Sequence, residues 1–385
     1  MFLNAILKRN TALVDAAFEF HQKGIIEPDT YILDLDAIIE NGSLIKKEAD
    51  KYNIKLYFMT KQLGRNPYIA KELMKLGYDG AVAVDFREAE TLYKAGIKIG
   101  HAGHLVQIPN SRLEPLLKAK PEVITVYSLE KAEQISKTAQ KLGIIQNIML
   151  RVIGEDDIQY PGQHGGFLLN QLHKSVNILN KLPNIKLAGV TSFPCFLYNE
   201  KNQEIESTNN INTLKKAQQI IEGITGYKLT QINTPSVTCC SSIKLIAENG
   251  GTHGEPGHGL LGTTPLHAAK DEPEKPAIVY VSEVSHNFNG RGYCFGGGYY
   301  RRSHVENALV GKSISKSGLL KVKAPDLESI DYYFELNNPC EIGDTVIMSF
   351  RSQIFVTRSK VAIVKGISKG NPEIVGIYDS QGNLV

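Results

Sequence analysis

One lysine stands at the point where a buried strand is expected to end. Residues 56–59 form a short apolar run that predicts a strand covered on both faces, and Pro67 opens a helical pattern soon afterwards. Lys61 lies between them, at the edge where parallel αβ proteins bind ligands. The pattern fits a solvated lysine after a core strand, or an amine that forms a Schiff base with a carbonyl cofactor.

A glycine-rich segment offers a second kind of chemistry. The sequence GTHGEPGHGLLG, residues 251–262, holds five glycines in twelve residues. The backbone N–H groups of Gly257 and His258 would suit a phosphate, as they do at glycine-rich junctions between a strand and a helix. The segment NTPSVT adds the hydroxyl groups of Thr234 and Ser236 one strand earlier. Taken alone, the glycine-rich segment is also compatible with a flexible surface turn.

Strand and helix patterns alternate through the first two thirds of the chain. The strand patterns lie at residues 31–33 and in the segments LYFM, GAVAV, IKIG, EVITVYS, NIMLRVI, IKLAGVTSF and KLTQINTPSV. Eight βα units in about 235 residues predict a (β/α)8 barrel, which typically needs about 250 residues. An open doubly wound sheet is the alternative. No GxGxxG segment follows a first strand with an acidic residue at the required distance, so dinucleotide binding has little support.

The sequence pattern changes after Pro265. From residue 277 onward, short β-rich runs alternate with Gly, Asn and Ser, which predicts a small antiparallel β domain. The charged, proline-bearing segment HAAKDEPEKP is typical of a domain joint. We therefore expect an N-terminal amphipathic helix in residues 1–28, the barrel in residues 29–268 and the β domain in residues 269–385.

Composition excludes several classes of partner. The chain has 385 residues, 42% hydrophobic and 22% charged, with a net charge of +3 and no long basic run. Nucleic acid and anionic membranes are therefore poor candidates, and a small-molecule substrate is expected. Five cysteines without a CxxC pair do not form a disulfide framework or a zinc ribbon, which favours a cytoplasmic setting. Charges within the N-terminal apolar pattern exclude a signal-peptide core or membrane span there.

In their order along the chain, these motifs resemble a fold-type III pyridoxal phosphate enzyme of the alanine racemase N-terminal barrel superfamily, and most closely its YhfX-type branch. The matching segments are YILDLDAI, FMTKQLGRNP, GYDGAVAVDFREAE, LRVIGEDD, AGVTSF, NTPSVT, EPGHGLLG and the C-terminal β domain. The resemblance implies that Lys61 forms the Schiff base and acts as a base on one face of the substrate. It also implies that Thr234, Gly257 and His258 hold the cofactor phosphate, with Ser236 in the same segment as Thr234.

The resemblance assigns Glu255 to the pyridine nitrogen of the cofactor, where alanine racemases carry an arginine. A carboxylate there favours the protonated ring, which stabilises a carbanion at Cα. This is compatible with racemisation, decarboxylation or retro-aldol cleavage. Phe193 stands where the family stacks a histidine on the ring, and it can pack there but cannot titrate. His101 and His104 are expected to be ordinary loop or core residues.

Further departures from the family narrow the expectation. The metal-binding His-x-Cys of the D-threonine aldolase and D-serine dehydratase branch has no counterpart in SFRSQIF, residues 349–355, so we predict no metal. The Cys-Asp-Gly triplet of the decarboxylases has only a partial match that begins at Cys294. Racemases need a tyrosine from the partner subunit as second base, and the resemblance places Tyr293 there, next to Cys294. Tyr299 and Tyr300 are close enough in sequence to compete.

These observations predict a pyridoxal phosphate-dependent amino acid racemase or epimerase that works as a head-to-tail homodimer. A decarboxylase or aldolase of the same fold is the first alternative. A pyridoxal phosphate carrier without turnover is the second, although such proteins resemble a bare barrel and the β domain argues against it.

Overall fold

The computed structural model describes residues 2–385, which form two compact units. The first unit contains the chain up to Leu44, Lys61–Ile69 and His258–Val385, and the second contains Ile45–Thr60 and Ala70–Gly257. The chain thus passes between the units immediately before Lys61 and immediately before His258.

Twenty strands lie within the described residues. They are β1 (Thr30–Asp34), β2 (Lys55–Met59), β3 (Gly80–Ala83), β4 (Ile99–Ala102), β5 (Val123–Val126), β6 (Gln146–Ile153), β7 (Phe167–Leu168), β8 (Ile185–Thr191), β9 (Phe196–Asn199), β10 (Glu204–Ser207), β11 (Gln231–Asn233), β12 (His253–Gly254), β13 (Ile278–Phe288), β14 (Arg291–Phe295), β15 (Asn307–Gly311), β16 (Ser317–Lys323), β17 (Tyr333–Leu336), β18 (Thr345–Met348), β19 (Lys360–Lys365) and β20 (Glu373–Tyr378).

Eleven α-helices lie within the same residues. They are α1 (Leu3–Arg9), α2 (Thr11–Gln22), α3 (Leu35–Lys51), α4 (Pro67–Lys75), α5 (Phe86–Lys94), α6 (Asn110–Lys118), α7 (Leu129–Leu142), α8 (Leu172–Leu179), α9 (Asn210–Thr225), α10 (Cys240–Glu248) and α11 (Pro265–Ala269). None of the helices in residues 2–385 has the length and apolar character that a membrane crossing requires.

Eight parallel strands of the second unit close into a barrel. Their order is β2, β3, β4, β5, β6, β8, β11 and β12, and β12 pairs with β2 to complete the ring. A helix joins most of these strands to the next, because parallel neighbours need a crossover connection and a helix usually provides it. The predicted (β/α)8 barrel is confirmed. Ligands of such barrels bind at the carboxyl ends of the strands.

The first strand of the barrel was predicted wrongly. β1 pairs antiparallel with β13 and parallel with β19, so it belongs to the sheet of the C-terminal domain. The expected barrel start at residue 29 is therefore wrong for this strand. Every residue of β1 is buried, and a strand that is buried on both faces has no sequence pattern that tells which sheet it joins. The eighth barrel strand is instead β12, two residues inside the glycine-rich segment.

The C-terminal part of the first unit is a nine-stranded, mainly antiparallel sheet. Its order is β14, β17, β16, β15, β18, β13, β1, β19 and β20. The expected antiparallel β domain is confirmed. β15 was not among the expected strands, because its segment NALVG is short and follows a polar stretch.

Two N-terminal helices pack on this sheet where one was expected. α1 ends at Arg9 and α2 begins at Thr11, with Asn10 in a non-helical conformation between them. Their apolar residues, including Leu13, join a buried cluster with residues of β1, β13, β18 and β19. The helices therefore contribute to the core of the first unit.

This packing predicts a large loss of stability when Leu13 is truncated. Leu13 is fully buried in that cluster, and Leu13→Ala should lower the free energy of unfolding by about 2–5 kcal/mol. Leu327→Ala is the matched control, because Leu327 is 73% exposed, and it should cost less than about 0.5 kcal/mol. Urea unfolding measures both. Equal losses in the two variants would contradict the packing described for α2.

Candidate active site

Lys61 begins a 3-10 turn, Lys61–Leu63, directly after β2 and Thr60. Its side chain is half-buried. The turn is fixed within its own unit, because the Ser352 hydroxyl donates to the carbonyl of Gln62 at 3.1 Å. Gly64 follows with a φ of +66°, and a Cβ there would lie 3.0 Å from the Val361 side chain. The backbone that carries the lysine is therefore held in one position.

In the first unit, His258 experiences a positive electrostatic potential from nearby cationic side chains. Burial, then Arg351, Lys61 and Arg302, lower the pKa of His258 well below its usual value. The imidazole is therefore neutral at pH 7, and the cations around it form a region that favours an anion. Its Nδ1 lies 3.2 Å from the Thr263 hydroxyl.

Two backbone N–H groups of the glycine-rich segment have no backbone acceptor among the described residues. Within residues 2–385, the N–H groups of Gly257 and His258 donate no hydrogen bond to a backbone carbonyl. Donors of this kind at a turn are typical of phosphate sites.

Glu255 follows β12 in the second unit, and its carboxylate is buried inside the barrel. Asn233, the last residue of β11, donates from Nδ2 to Oε1 at 2.7 Å. The Nδ1 atom of His101 lies 2.6 Å from the same oxygen. His101 is on β4, which is not a neighbour of β12 in the barrel order, so this contact crosses the barrel interior.

Two histidines contribute to a lowered pKa of the Glu255 carboxyl group. Burial raises the pKa of Glu255, but His104, His101 and Asn233 outweigh it, and the pKa falls to about 2. His104 Nε2 is 3.8 Å from Oε2, too far for a hydrogen bond. Oε2 is consequently a buried acceptor without a hydrogen-bond partner in the described residues. The site presents one ionised oxygen that lacks a donor.

The same three residues offer metal-ligand atoms, but His101 and Glu255 are hydrogen-bonded to each other rather than spaced as two ligands of one ion. His101, His104 and Glu255 each offer a ligand atom, and these atoms lie within 4.8 Å of one another. Two ligands of a tetrahedral zinc ion lie about 3.3 Å apart, given metal–ligand bonds of about 2.0 Å. The 2.6 Å between His101 and Glu255 is a hydrogen-bond distance instead. The expectation that no metal is needed stays a prediction.

The segment after β11 is locally strained. Ser236 has a φ of 116° and Val237 a φ of 50°, values that residues other than glycine rarely adopt. The Ser236 hydroxyl donates to the carbonyl of Phe196 at 2.6 Å and accepts from its N–H at 3.1 Å. Thr234 is buried, and its hydroxyl has no hydrogen-bond partner within residues 2–385. The strain persists because these bonds fix the segment.

Phe193 lies beside the histidines of the second unit. Its ring meets that of His104 edge-on, with centroids 5.6 Å apart, and it lies 5.5 Å from the ring of Tyr160. Phe193 is half-buried, so one part of it can pack against a ligand.

Tyr293 and Cys294 occupy opposite faces of β14, as successive strand residues do. Tyr293 is half-buried, and its ring stacks on that of His286 with the ring centroids 4.9 Å apart. It lines a cavity of about 590 Å³ whose lining residues do not include Lys61. Cys294 is fully buried, and burial raises the pKa of its thiol to about 12. This burial argues against the predicted catalytic role of Cys294.

Sequence reasoning missed the groups that surround Glu255. His101 and His104 were expected to be ordinary loop or core residues, yet both contribute to the ionisation of Glu255. The available signal was their spacing in IKIGHAGH, which puts one histidine on a strand and the next just past its carboxyl end. Asn233 was quoted as part of NTPSVT, and only the structure reveals its amide as a donor to Glu255.

The pKa of Glu255 predicts a specific dependence of stability on pH. Its folded value of about 2 lies below the usual value of about 4.3, so ionised Glu255 stabilises the fold above about pH 4.3 and the effect disappears towards pH 2. The stability gap between the cofactor-free protein and Glu255→Gln should therefore shrink by up to about 3 kcal/mol as the pH falls from 7 towards 2.

Urea unfolding over a pH series measures this gap. Glu328→Gln is the matched control, because Glu328 is exposed to solvent. A gap for Glu255→Gln that is constant from neutral to acid pH would contradict the ionised network.

Comparison with known proteins is consistent with this fold. The family model for the alanine racemase N-terminal domain matches residues 33–265, and that for the YhfX-like C-terminal domain matches residues 279–374. The uncharacterized protein YhfX of Escherichia coli (strain K12) is 45% identical over 387 residues, which cover 100% of this chain and 99% of that protein.

Several solved structures share the fold at low sequence identity. An alanine racemase of Clostridium difficile 630 in complex with cycloserine has a TM-score of 0.64 at 19% identity, over 91% of this chain and 98% of that one. D-threonine aldolase of Filomicrobium marinum has a TM-score of 0.63 at 15% identity, over 92% and 94%. D-threo-3-hydroxyaspartate dehydratase of Delftia sp. HT23 has a TM-score of 0.65 at 12% identity, over 89% and 95%. With its N-terminal match covering more than half of the chain, the protein belongs to the alanine racemase N-terminal domain family, in the form that carries a YhfX-like C-terminal domain.

Proposed function

We propose that this protein is a pyridoxal phosphate-dependent enzyme that moves the α-hydrogen of an amino acid, as a racemase or epimerase. The observation that carries the proposal is the buried, ionised Oε2 of Glu255, which lacks a hydrogen-bond donor in the described residues. A protonated pyridine nitrogen supplies such a donor, and a carboxylate beside it keeps that nitrogen protonated.

The residues of the chain fit the parts of this cofactor. Lys61 supplies the amine for its aldehyde, and Phe193 supplies an apolar ring face. The backbone donors of Gly257 and His258, with the cations near His258, suit its phosphate. The segment with Thr234 and Ser236 belongs to the same proposed phosphate site. When bound, pyridoxal phosphate supplies an electron sink that makes the α-hydrogen of an amino acid acidic.

The protein residues then control the proton. Lys61 Nζ takes the α-hydrogen on one face of the substrate and can return it there. Racemisation also needs an acid on the opposite face, and we assign that role to the Tyr293 hydroxyl of a second copy of the chain. Glu255 does not exchange a proton during the reaction, because its pKa of about 2 keeps it ionised.

A lyase is the second candidate, and Glu255 favours it equally. Decarboxylation and retro-aldol cleavage need the same protonated ring and differ in the bond that is broken. Relatives of the same fold include an aldolase and a dehydratase. A carrier without turnover is the third candidate, and the C-terminal β domain argues against it.

Hydrogen exchange in heavy water tests the function and the lysine together. Purified protein with pyridoxal phosphate should exchange the α-hydrogen of at least one amino acid in a screened panel, followed by NMR, with the carboxylate retained and the optical rotation lost. Lys61→Ala should abolish the exchange, and borohydride should fix the cofactor to the Lys61 peptide in the unsubstituted protein, as read by mass spectrometry.

Lys55→Ala is the matched control, because Lys55 lies at the opposite end of β2 and is exposed. It should retain both exchange and cofactor. Loss of the carboxylate would select the lyase, and cofactor fixed at another lysine would contradict the assignment of Lys61.

The role of Tyr293 predicts recovery of activity between two inactive proteins. If each site combines Lys61 of one chain with Tyr293 of the other, a two-fold pair builds both sites at once. Heterodimers of Lys61→Ala and Tyr293→Phe then contain one intact site, and should regain up to about half of the activity per dimer. Subunits exchanged under mild denaturant and purified by two affinity tags provide the sample.

Tyr299→Phe serves as the comparison, because Tyr299 is also half-buried and lies a few residues away. It should be active by itself. Verified heterodimers without any activity would contradict either the shared site or the choice of Tyr293.

A further inference from the structure

His101 links the Glu255 carboxylate to a second polar side chain inside the barrel. It is fully buried on β4, and both of its ring nitrogens are engaged. Nδ1 lies 2.6 Å from Glu255 Oε1, and Nε2 lies 2.5 Å from the Thr125 hydroxyl on β5. A neutral imidazole has one donor and one acceptor nitrogen, and in His101 these two nitrogens are engaged by an anion and by a hydroxyl.

The ionised partner fixes the position of the proton. Glu255 carries a charge at neutral pH and can only accept, so the Nδ1 of His101 must carry the hydrogen. Thr125 can donate to Nε2 of a neutral ring or accept from a charged ring, because a hydroxyl serves in both roles. The chain from Thr125 through His101 to Glu255 is therefore satisfied in either protonation state of the imidazole.

The hydrogen bonds also orient the carboxylate. Asn233 and His101 both contact Oε1, from opposite sides of the barrel. Because Oε1 accepts two hydrogen bonds, rotation of the carboxyl group is restricted and Oε2 points in one direction. His104 is held separately, because the Tyr127 hydroxyl donates to its backbone carbonyl at 2.7 Å. Its Nε2 lies 3.8 Å from Oε2, beyond hydrogen-bond distance.

We propose that His101 is a positioning residue that acts only through Glu255, orienting its carboxylate so that Oε2 can meet the ring nitrogen of the cofactor, with Thr125 fixing the imidazole. This inference rests on the proposed function and deepens it. Residues that orient metal ligands commonly change activity by about 10- to 100-fold when they are removed, and we expect an effect of similar size here.

A set of substitutions separates orientation from charge. His101→Leu removes both hydrogen bonds, whereas His101→Asn keeps a donor near the position of Nδ1. Thr125→Val removes the hydroxyl with little change in shape, and Thr125→Ser restores it. We expect α-hydrogen exchange to fall by about 10- to 100-fold in His101→Leu with little change in KM, and to recover in part in His101→Asn. Thr125→Ser should retain activity that Thr125→Val loses.

The decisive measurement combines His101→Leu with Glu255→Gln. Because His101 acts through Glu255, His101→Leu should cause no further loss of exchange in a protein that already carries Glu255→Gln. The visible spectrum of the bound cofactor should also shift in the same direction in the two single variants. A further loss in the double variant, or an unchanged rate in His101→Leu alone, would overturn the proposal.

The cofactor-free protein provides a readout that does not depend on the proposed function. Urea unfolding of the two single variants and the double variant at pH 7 should be non-additive, because each single substitution already breaks the same pair. Non-additive stability without any cofactor binding by the unsubstituted protein would contradict the proposed function while leaving the pair intact. Additive stability would refute the contact between His101 and Glu255 itself.

Discussion

The burial of the Glu255 carboxylate is the constraint on which the arrangement of the second unit depends. A charge taken out of water is tolerated only when hydrogen bonds and opposite charges compensate it. Here the compensating groups come from β4 and β11 and from the segment after β4, which are far apart in sequence. Closure of the barrel is what brings them to one carboxylate. Because one oxygen is fully engaged, the other remains as a directed, ionised acceptor.

In the first unit, by contrast, positively charged side chains act on a neutral histidine, His258. His258 does not compensate the charges of Lys61, Arg302 and Arg351, since they and burial keep it unprotonated. In the proposed function, this positive potential at His258 favours the cofactor phosphate. The turn that carries Lys61 is meanwhile held by Ser352 and by the close approach at Gly64. A fixed backbone limits the entropy that an amine loses when it reacts.

The sequence was informative where a pattern is local. The apolar run before Lys61 predicts that this lysine lies at the end of a strand. Eight alternating strand and helix units predict a closed barrel. Membership of a sheet is not local, which is why β1 was assigned to the barrel although it pairs with β13 and β19. The same reason explains His101. Its contact with Glu255 joins residues 154 positions apart across the barrel, and no spacing within IKIGHAGH encodes it.

In the proposed function, the charge of Glu255 would favour a protonated cofactor ring but would not select the bond that breaks, so the distinction between racemase and lyase lies in the groups that meet the substrate. A lyase needs one face of the substrate, whereas racemisation needs a proton donor on each face. Tyr293 has the properties of such a donor, since it is half-buried, stacked on His286 and open to a cavity of about 590 Å³. Cys294 lacks them, because its thiol is buried on the other face of the strand. The racemase proposal therefore depends on Tyr293, as the proposed cofactor site depends on Glu255.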